Sequence, residues 1–135
     1  DTVVSLEGKI LGKPRDREEA ARFMRELSGR THEVRTAVAV GRSREDYRAL
    51  VVLSKVTMRQ ISEEEIGRYV MTDEPYDKAG GYGIQGLAGL FVQSVAGSYT
   101  GIMGLPVCEA AELLKSYGAP APALFQPMPT SSTSK

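Results

Sequence analysis

Residues 77–86 (DKAGGYGIQG) combine several polar side chains with four glycines. Asp77 is an acid, Lys78 a base, Tyr82 a phenol and Gln85 an amide. Glycine lets the backbone bend sharply and approach a ligand closely. The segment is therefore a poor candidate for a core strand, and we expect it to form one wall of a polar binding site.

The glycines also match the dinucleotide-binding pattern G-x-G-x-x-G at positions 81, 83 and 86. That pattern is specific only between a strand and a helix, with an acid about 20 residues further on. Residues 73–77 are instead typical of a turn, residues 87–92 of an extended segment, and residues 104–106 are Gly-Leu-Pro. The required context is missing, so the sequence argues against a Rossmann site.

Composition excludes several classes of protein. The chain has 135 residues, with 41% hydrophobic and 25% charged side chains, which is ordinary for one globular domain. Seventeen basic and seventeen acidic residues cancel, so net charge gives no reason to expect nucleic-acid or membrane binding. A single cysteine excludes an intramolecular disulfide and fits a reducing cytosol. No apolar run approaches the ~18 residues needed to span a bilayer.

The first half of the chain predicts a sheet and one helix. Residues 2–6 and 9–11 are predicted to form two strands joined by a turn. Asp16 is a suitable N-cap for a helix whose apolar face recurs at helical spacing and which ends at Ser28. Residues 34–40 and 47–59 predict a long hairpin, with residues 50–53 as its buried centre.

The second half predicts two further helices. Ser62 and Glu65 form a capping box for a helix that runs through Val70. Residues 87–98 are expected to be extended, and residues 106–117 to be helical, with Cys108 near the buried face. Residues 119–135 are rich in Pro, Ser and Thr and are predicted to be a disordered tail.

The segment at 77–86 resembles the signature of Maf proteins, which are nucleoside triphosphate pyrophosphatases. Its last residues, Ile-Gln-Gly at 84–86, resemble the branch acting on dTTP and UTP. Other segments agree and fall in the family's order: residues 1–4 (Asp-Thr-Val-Val), 12–14 (Gly-Lys-Pro), 27–32 (Leu-Ser-Gly-Arg-Thr-His), 97–99 (Gly-Ser-Tyr) and 104–106 (Gly-Leu-Pro). The resemblance runs from residue 1 to about residue 117.

The resemblance implies an α/β fold with a mixed, twisted sheet flanked by helices. The implied reaction is hydrolysis of dTTP and UTP to a monophosphate and pyrophosphate, which cleanses the nucleotide pool. Modified pyrimidine nucleotides are further candidate substrates. The resemblance also implies a divalent cation, Mg²⁺ or Mn²⁺, a homodimer and a cytoplasmic location. No partner nucleic acid or membrane is implied.

The resemblance also assigns site residues. Asp1 matches the proton acceptor, and Thr2 a position linked to substrate choice. Lys13 and Lys78 are candidate phosphate ligands, although Lys13 fits a surface turn equally well and Lys78 could simply pair with Asp77 or Glu74. Asp77 is a candidate metal ligand.

Gln85 is the candidate selector of the base, because its amide offers both a donor and an acceptor to the edge of uracil or thymine. Tyr82 could stack on a base or pack in the core. His32, the single histidine, is expected to make a structural hydrogen bond.

One part of the family pattern is not matched, namely a Ser-x-Arg-Arg loop that holds the triphosphate. Residues 1–118 are therefore expected to correspond to the C-terminal two-thirds of the family domain. The alternative to an enzyme is a catalytically inactive nucleotide-binding or cell-division regulatory fragment.

Overall fold

The computed structural model describes residues 1–118. Its strands are β1 (Thr2–Leu6), β2 (Lys9–Leu11), β3 (Thr31–Gly41), β4 (Tyr47–Met58) and β5 (Val92–Ala96). Its α-helices are α1 (Arg17–Leu27), α2 (Glu63–Tyr69), α3 (Tyr99–Ile102) and α4 (Val107–Lys115). Three short 3-10 helices, Glu74–Asp77, Ala79–Gly81 and Leu87–Leu90, lie between α2 and β5.

The five strands form one sheet in the order β2-β1-β3-β4-β5, and every neighbouring pair is antiparallel. The α/β class, with helices beside the sheet, is confirmed. A parallel pairing, which would make the sheet mixed, does not occur between strands within residues 1–118. Tight turns after β1 and β3 return the chain alongside itself, and this produces antiparallel neighbours.

The helix starts follow the predicted capping chemistry. The Glu19 N–H donates to Oδ1 of Asp16 at 2.9 Å, and this begins α1. At α2 the Glu65 N–H donates to the Ser62 hydroxyl at 3.1 Å, while the Ser62 N–H donates to the Glu65 carboxylate at 3.0 Å. Each cap satisfies backbone donors that have no partner inside their own helix.

The core joins the apolar face of α1 to the sheet and to α2. Buried side chains come from β1, α1, β3, β4 and α2 and include Val4, Met24, Val34, Val56 and Ile66. Leu27 and Met24 are fully buried at the sheet side of α1. This packing confirms the predicted apolar face of the first helix.

The predicted buried centre of β4 is wrong. Val51 is 64% exposed and Leu53 44% exposed, and Tyr47 on the same face is also exposed. Side chains alternate between the faces of a strand, and no element within residues 1–118 buries this face of the β3–β4 hairpin. The hairpin itself is confirmed in full register from Thr31↔Thr57 to Gly41↔Tyr47.

Two further predictions need correction. The segment predicted to be extended from residue 87 begins as the 3-10 helix Leu87–Leu90, and only Val92–Ala96 forms a strand. Cys108 is exposed, as are Val107 and Leu114, so α4 buries little more than Ala110.

The predicted tail, residues 119–135, lies outside the described residues. Within residues 1–118, the helices are too short or too polar to cross a bilayer.

Candidate active site

A cavity of about 400 Å³ lies between the start of β1 and the glycine-rich segment after α2. Strands β1 and β3 supply its floor, residues 74–86 supply one wall, and the end of α3 supplies another. The lining residues are Thr2, Val4, Val34, Glu74, Lys78, Ala79, Tyr82, Gly83, Ile84, Gln85, Gly86, Ile102 and Met103. The glycine-rich segment therefore forms the predicted wall of a polar site.

Three of the six predicted site residues line this cavity, namely Thr2, Lys78 and Gln85. Thr2 and Gln85 lie 83 positions apart in the chain, and the fold brings both to the lining of the same cavity. Asp1, Lys13 and Asp77 are exposed and are not part of the lining.

Two of the outer residues are held beside the cavity by backbone contacts. Asp1 directly precedes Thr2, and its carbonyl accepts a 2.9 Å hydrogen bond from the Ala37 N–H, which extends the β1–β3 ladder. Lys13 lies in the turn after β2, where the Gly12 carbonyl accepts from the Gly80 N–H at 3.0 Å. The turn that carries Lys13 is thus tied to the glycine-rich wall.

Lys78 forms an ion pair with Asp77, which was one of the alternatives predicted for this lysine. Its ammonium donates to Oδ1 of Asp77 at 2.9 Å, and it also lies 3.4 Å from the backbone carbonyl of Glu74. The hydrogen bond and charge of Lys78 lower the pKa of Asp77, and the nearby charge of Lys13 adds to this effect. An exposed ion pair of this kind is weak, so the ammonium can exchange Asp77 for an anionic ligand.

Glu74 is the residue that sequence reasoning missed. Its carboxylate lines the cavity and accepts hydrogen bonds from the Tyr69 hydroxyl (2.5 Å), the Leu87 N–H (2.8 Å) and the Ala88 N–H (3.1 Å). Burial opposes ionisation of Glu74, but these bonds outweigh it and lower the pKa of the carboxyl. Glu74 therefore holds the C-terminal end of the loop that carries Gln85, while Tyr69, which donates to Glu74, accepts from the Gly83 N–H at the other end.

The glycines of this wall make room for the polar side chains. A Cβ at position 86 would lie 2.0 Å from Oε1 of Glu74, and a Cβ at position 83 would lie 2.9 Å from Cε of Lys78. The spacing of the glycines in the sequence indicated this close packing. No local feature of the sequence identified Glu74 as the side chain that packs against Gly86.

Tyr82, which lines the cavity, forms a buried pair with His32. The Tyr82 oxygen lies 2.6 Å from Nε2 of His32, and the rings meet edge to face at 5.4 Å. Burial lowers the pKa of His32 to about 4, so the ring is neutral at pH 7. Tyr82 thus packs in the core, and the predicted structural hydrogen bond of His32 is confirmed.

The described residues do not fit a resident metal ion. Within residues 1–118, no three His, Cys, Asp or Glu side chains converge closely enough to hold a metal. Asp77, the predicted ligand, is bonded to Lys78 and lies near Lys13, so two cations already surround its carboxylate.

The chain is similar to one known protein family and to several curated proteins. The model of the Maf-like protein family matches residues 1–117. Proteins named dTTP/UTP pyrophosphatase are similar over most of the chain. That of Dechloromonas aromatica is 56% identical over 119 residues, which cover 87% of this chain and 58% of the relative.

The protein of Bordetella parapertussis is 54% identical over 90% of this chain and 58% of its own length. That of Escherichia coli K12 is 52% identical over 88% of this chain and 60% of its own length. The chain therefore spans somewhat more than half the length of the curated relatives it matches.

Proposed function

This chain belongs to the Maf-like protein family, and we propose that it forms the base-reading and phosphate-contacting part of an enzyme that hydrolyses dTTP and UTP. The products are the nucleoside monophosphate and pyrophosphate. The observation that carries the proposal is the convergence of Thr2, Lys78 and Gln85 on one cavity. The names of the similar proteins supply the substrate class.

The cavity has the size and polarity of a small-molecule site. Its volume of about 400 Å³ falls within the usual range for ligand pockets, and apolar residues such as Val4 and Val34 form its floor. Gln85 contacts the base edge with its amide. Lys78 contacts the phosphates, and Lys13 approaches them from the turn after β2. These cations offset the charge of the triphosphate.

The proposed chemical step uses Asp1 as the general base. A water oxygen attacks the α-phosphorus, and the bond from that phosphorus to the bridging oxygen of the β-phosphate breaks, releasing pyrophosphate. The Asp1 carboxylate takes the proton that the water loses. Asp1 directly precedes the cavity-lining residue Thr2, and its backbone carbonyl extends the β1–β3 ladder, which supports this assignment.

A divalent cation enters this proposal as part of the substrate. Mg²⁺ in nucleotide enzymes is bound largely by phosphate oxygens and water, with only one or two carboxylates. We therefore propose that the triphosphate binds as its Mg²⁺ or Mn²⁺ complex. Asp77 remains the candidate carboxylate, provided that the phosphates first draw Lys78 away from it.

The homodimer and the cytoplasmic location are likewise proposals that rest on family membership. Light scattering of the purified chain and fractionation of cells would test them. The alternative of an inactive regulatory fragment is not favoured, because the similar proteins carry the name of an enzyme.

The test is pyrophosphate release by this chain with Mg²⁺ across dTTP, UTP, CTP, GTP and ATP. We expect release from dTTP and UTP, and loss of turnover without loss of nucleotide affinity in Asp1→Asn. Asp73→Asn, an exposed acid outside the cavity lining, is the matched control. UTP binding without release would support the inactive alternative, and the absence of both would overturn the proposal.

The role of Gln85 has its own control. Gln85→Ala should lower the ratio of UTP to GTP turnover, whereas Gln93→Ala, an exposed glutamine on β5, should leave that ratio unchanged. An equal fall on both nucleotides in Gln85→Ala would remove Gln85 as the selector.

A further inference from the structure

Thr36 is a buried threonine on β3 that connects the floor of the cavity to the wall formed by α3, without lining the cavity itself. It lies directly opposite Thr2 in the β1–β3 register, and the two hydroxyl oxygens are 3.3 Å apart. The Thr36 hydroxyl also lies 2.5 Å from the backbone carbonyl of Gly101 in α3. Gly101 is followed by Ile102 and Met103, which line the cavity.

The direction of these hydrogen bonds follows from counting protons. A hydroxyl has one proton to donate, and a carbonyl can only accept. The single proton of Thr36 therefore goes to Gly101. In the remaining pair Thr2 must donate to Thr36, and the Thr2 oxygen is left with only lone pairs to offer the cavity.

We propose that Thr36 is a positioning residue that holds the Thr2 hydroxyl as a hydrogen-bond acceptor and so selects uracil and thymine over cytosine. The inference rests on the proposed function, because it concerns the base of the same nucleotide. Uracil and thymine carry a proton at N3 and can donate to Thr2. Cytosine has a lone pair at N3, so two acceptors would face each other without a proton between them.

Gln85 alone does not provide this discrimination. Its exposed amide makes no hydrogen bond with any residue in the 1–118 region, so no contact there sets which end faces the base. An amide that can rotate by half a turn exchanges its NH₂ and oxygen, so it can pair with either a donor or an acceptor at N3 of the base. The Thr2 hydroxyl, by contrast, has a fixed direction and offers only an acceptor, so it can pair only with a donor at N3.

The test compares UTP and CTP affinity in this chain by equilibrium dialysis, which does not require turnover. Thr36→Val keeps the shape of the side chain and removes the hydroxyl, so Thr2 loses its acceptor and can donate to cytosine. We expect the ratio of UTP to CTP affinity to fall about tenfold. Thr36→Ser keeps the hydroxyl and should restore the ratio.

A matched control lies on the same strand. Thr31 forms a similar cross-strand hydroxyl pair with Thr57 at 2.8 Å, outside the cavity lining. Thr31→Val should therefore leave the ratio unchanged. A purely structural role for Thr36 would weaken UTP and CTP binding equally in Thr36→Val and would overturn the inference.

The outcomes separate this inference from the proposed function. If the wild-type chain shows no preference for UTP over CTP, both the inference and the proposed function are overturned. A preference that survives in Thr36→Val would overturn only the role of Thr36. If Thr36→Val fails to fold, nuclear Overhauser effects of the hydroxyl protons in the wild type show to which oxygen the Thr36 hydroxyl donates. A Thr36 proton near Gly101 supports the inference, and a Thr36 proton pointing at Thr2 contradicts it.

Discussion

The backbone N–H of Leu87 donates a 2.8 Å hydrogen bond to the carboxylate of Glu74, thirteen positions earlier in the chain. The same carboxylate accepts from Ala88, and its neighbour Tyr69 accepts from the Gly83 N–H at 3.2 Å. These bonds close the loop that presents Gln85 to the cavity. A side chain with no proposed part in the chemistry thus sets the position of the candidate selector.

Glu74→Gln should destabilise the fold while keeping the size of the side chain. The amide replaces a charged acceptor of three hydrogen bonds, and bonds to charged groups are the stronger ones. We expect the free energy of unfolding to fall by about 2 kcal/mol in urea titrations. Glu64→Gln, which removes an exposed ion pair with Arg68 and one of three acids in the first turn of α2, should change it by less than about 0.5 kcal/mol. Equal effects in the two variants would contradict the anchoring role of Glu74.

The carboxylate of Glu74 should also make the stability of the fold depend on pH in the acidic range. The pKa of Glu74 is lower in the folded chain than its ordinary value of 4.5, so the unfolded state binds the proton more readily. Its contribution to stability is complete above about pH 4.5 and is lost as the pH falls through the lower folded pKa. Glu74→Gln should lose less stability than wild type on acidification below this pH, measured by urea titrations at successive pH values.

His32 should make stability depend on pH at a higher range. Its pKa is about 4 in the folded chain against 6.5 for a free imidazole, so the unfolded state binds more protons between these values. Stability therefore rises with pH across this window, by about 1.4 kcal/mol per unit. We expect the wild type to lose about 1.5 kcal/mol between pH 6.5 and pH 5, since the unfolded imidazole is only half protonated at pH 6.5.

His32→Gln provides the comparison, because the chain has a single histidine. The variant should be less stable at pH 7, and its unfolding free energy should hardly change between pH 6.5 and pH 5. A slope equal to that of wild type would assign the pH dependence to other groups.

Gly80→Ala should be strongly destabilising. Gly80 has a φ of +76°, and an added Cβ would lie 2.8 Å from Cγ1 of Val4 on the cavity floor. The left-handed backbone and the contact together should cost about 2–3 kcal/mol. Gly67→Ala is the matched control, since it lies in α2 with open space around its Cβ. That change should stabilise the helix by up to about 1 kcal/mol in thermal unfolding.

Lys78→Met should raise the KM for UTP about tenfold, because one charge-assisted contact to phosphate is lost. Lys55→Met, an exposed lysine on β4 outside the cavity lining, is the control and should leave KM unchanged. Asp77→Asn removes the competing partner of the ammonium and should keep or lower KM. Loss of turnover at unchanged affinity in Asp77→Asn would instead favour Asp77 as a metal ligand.

The elements that could be predicted from the sequence are those whose signals are local. Asp16 and Ser62 cap helices through atoms three residues away, and runs of β-branched and apolar residues predicted β1, β3 and β4. The glycine spacing at 80–86 marked the wall of the cavity for the same reason, because it reports conformations within one short segment. Gln85 and Lys78 could be named because they lie inside that segment.

Local signals in the sequence therefore predicted strands β1 to β4, helices α1, α2 and α4, the glycine-rich wall and the family resemblance. The tertiary structure alone shows that Glu74 holds the Gln85 loop and that the Thr36 hydroxyl lies within hydrogen-bond distance of the Thr2 hydroxyl and the Gly101 carbonyl. It also decided that Val51 and Leu53 are exposed on the hairpin. Hydrogen-bond partners 34 and 65 residues apart, as at Thr36, have no periodicity in the sequence. Such pairs arise only from the register of strands and the packing of distant elements, and this is why local patterns did not reveal them.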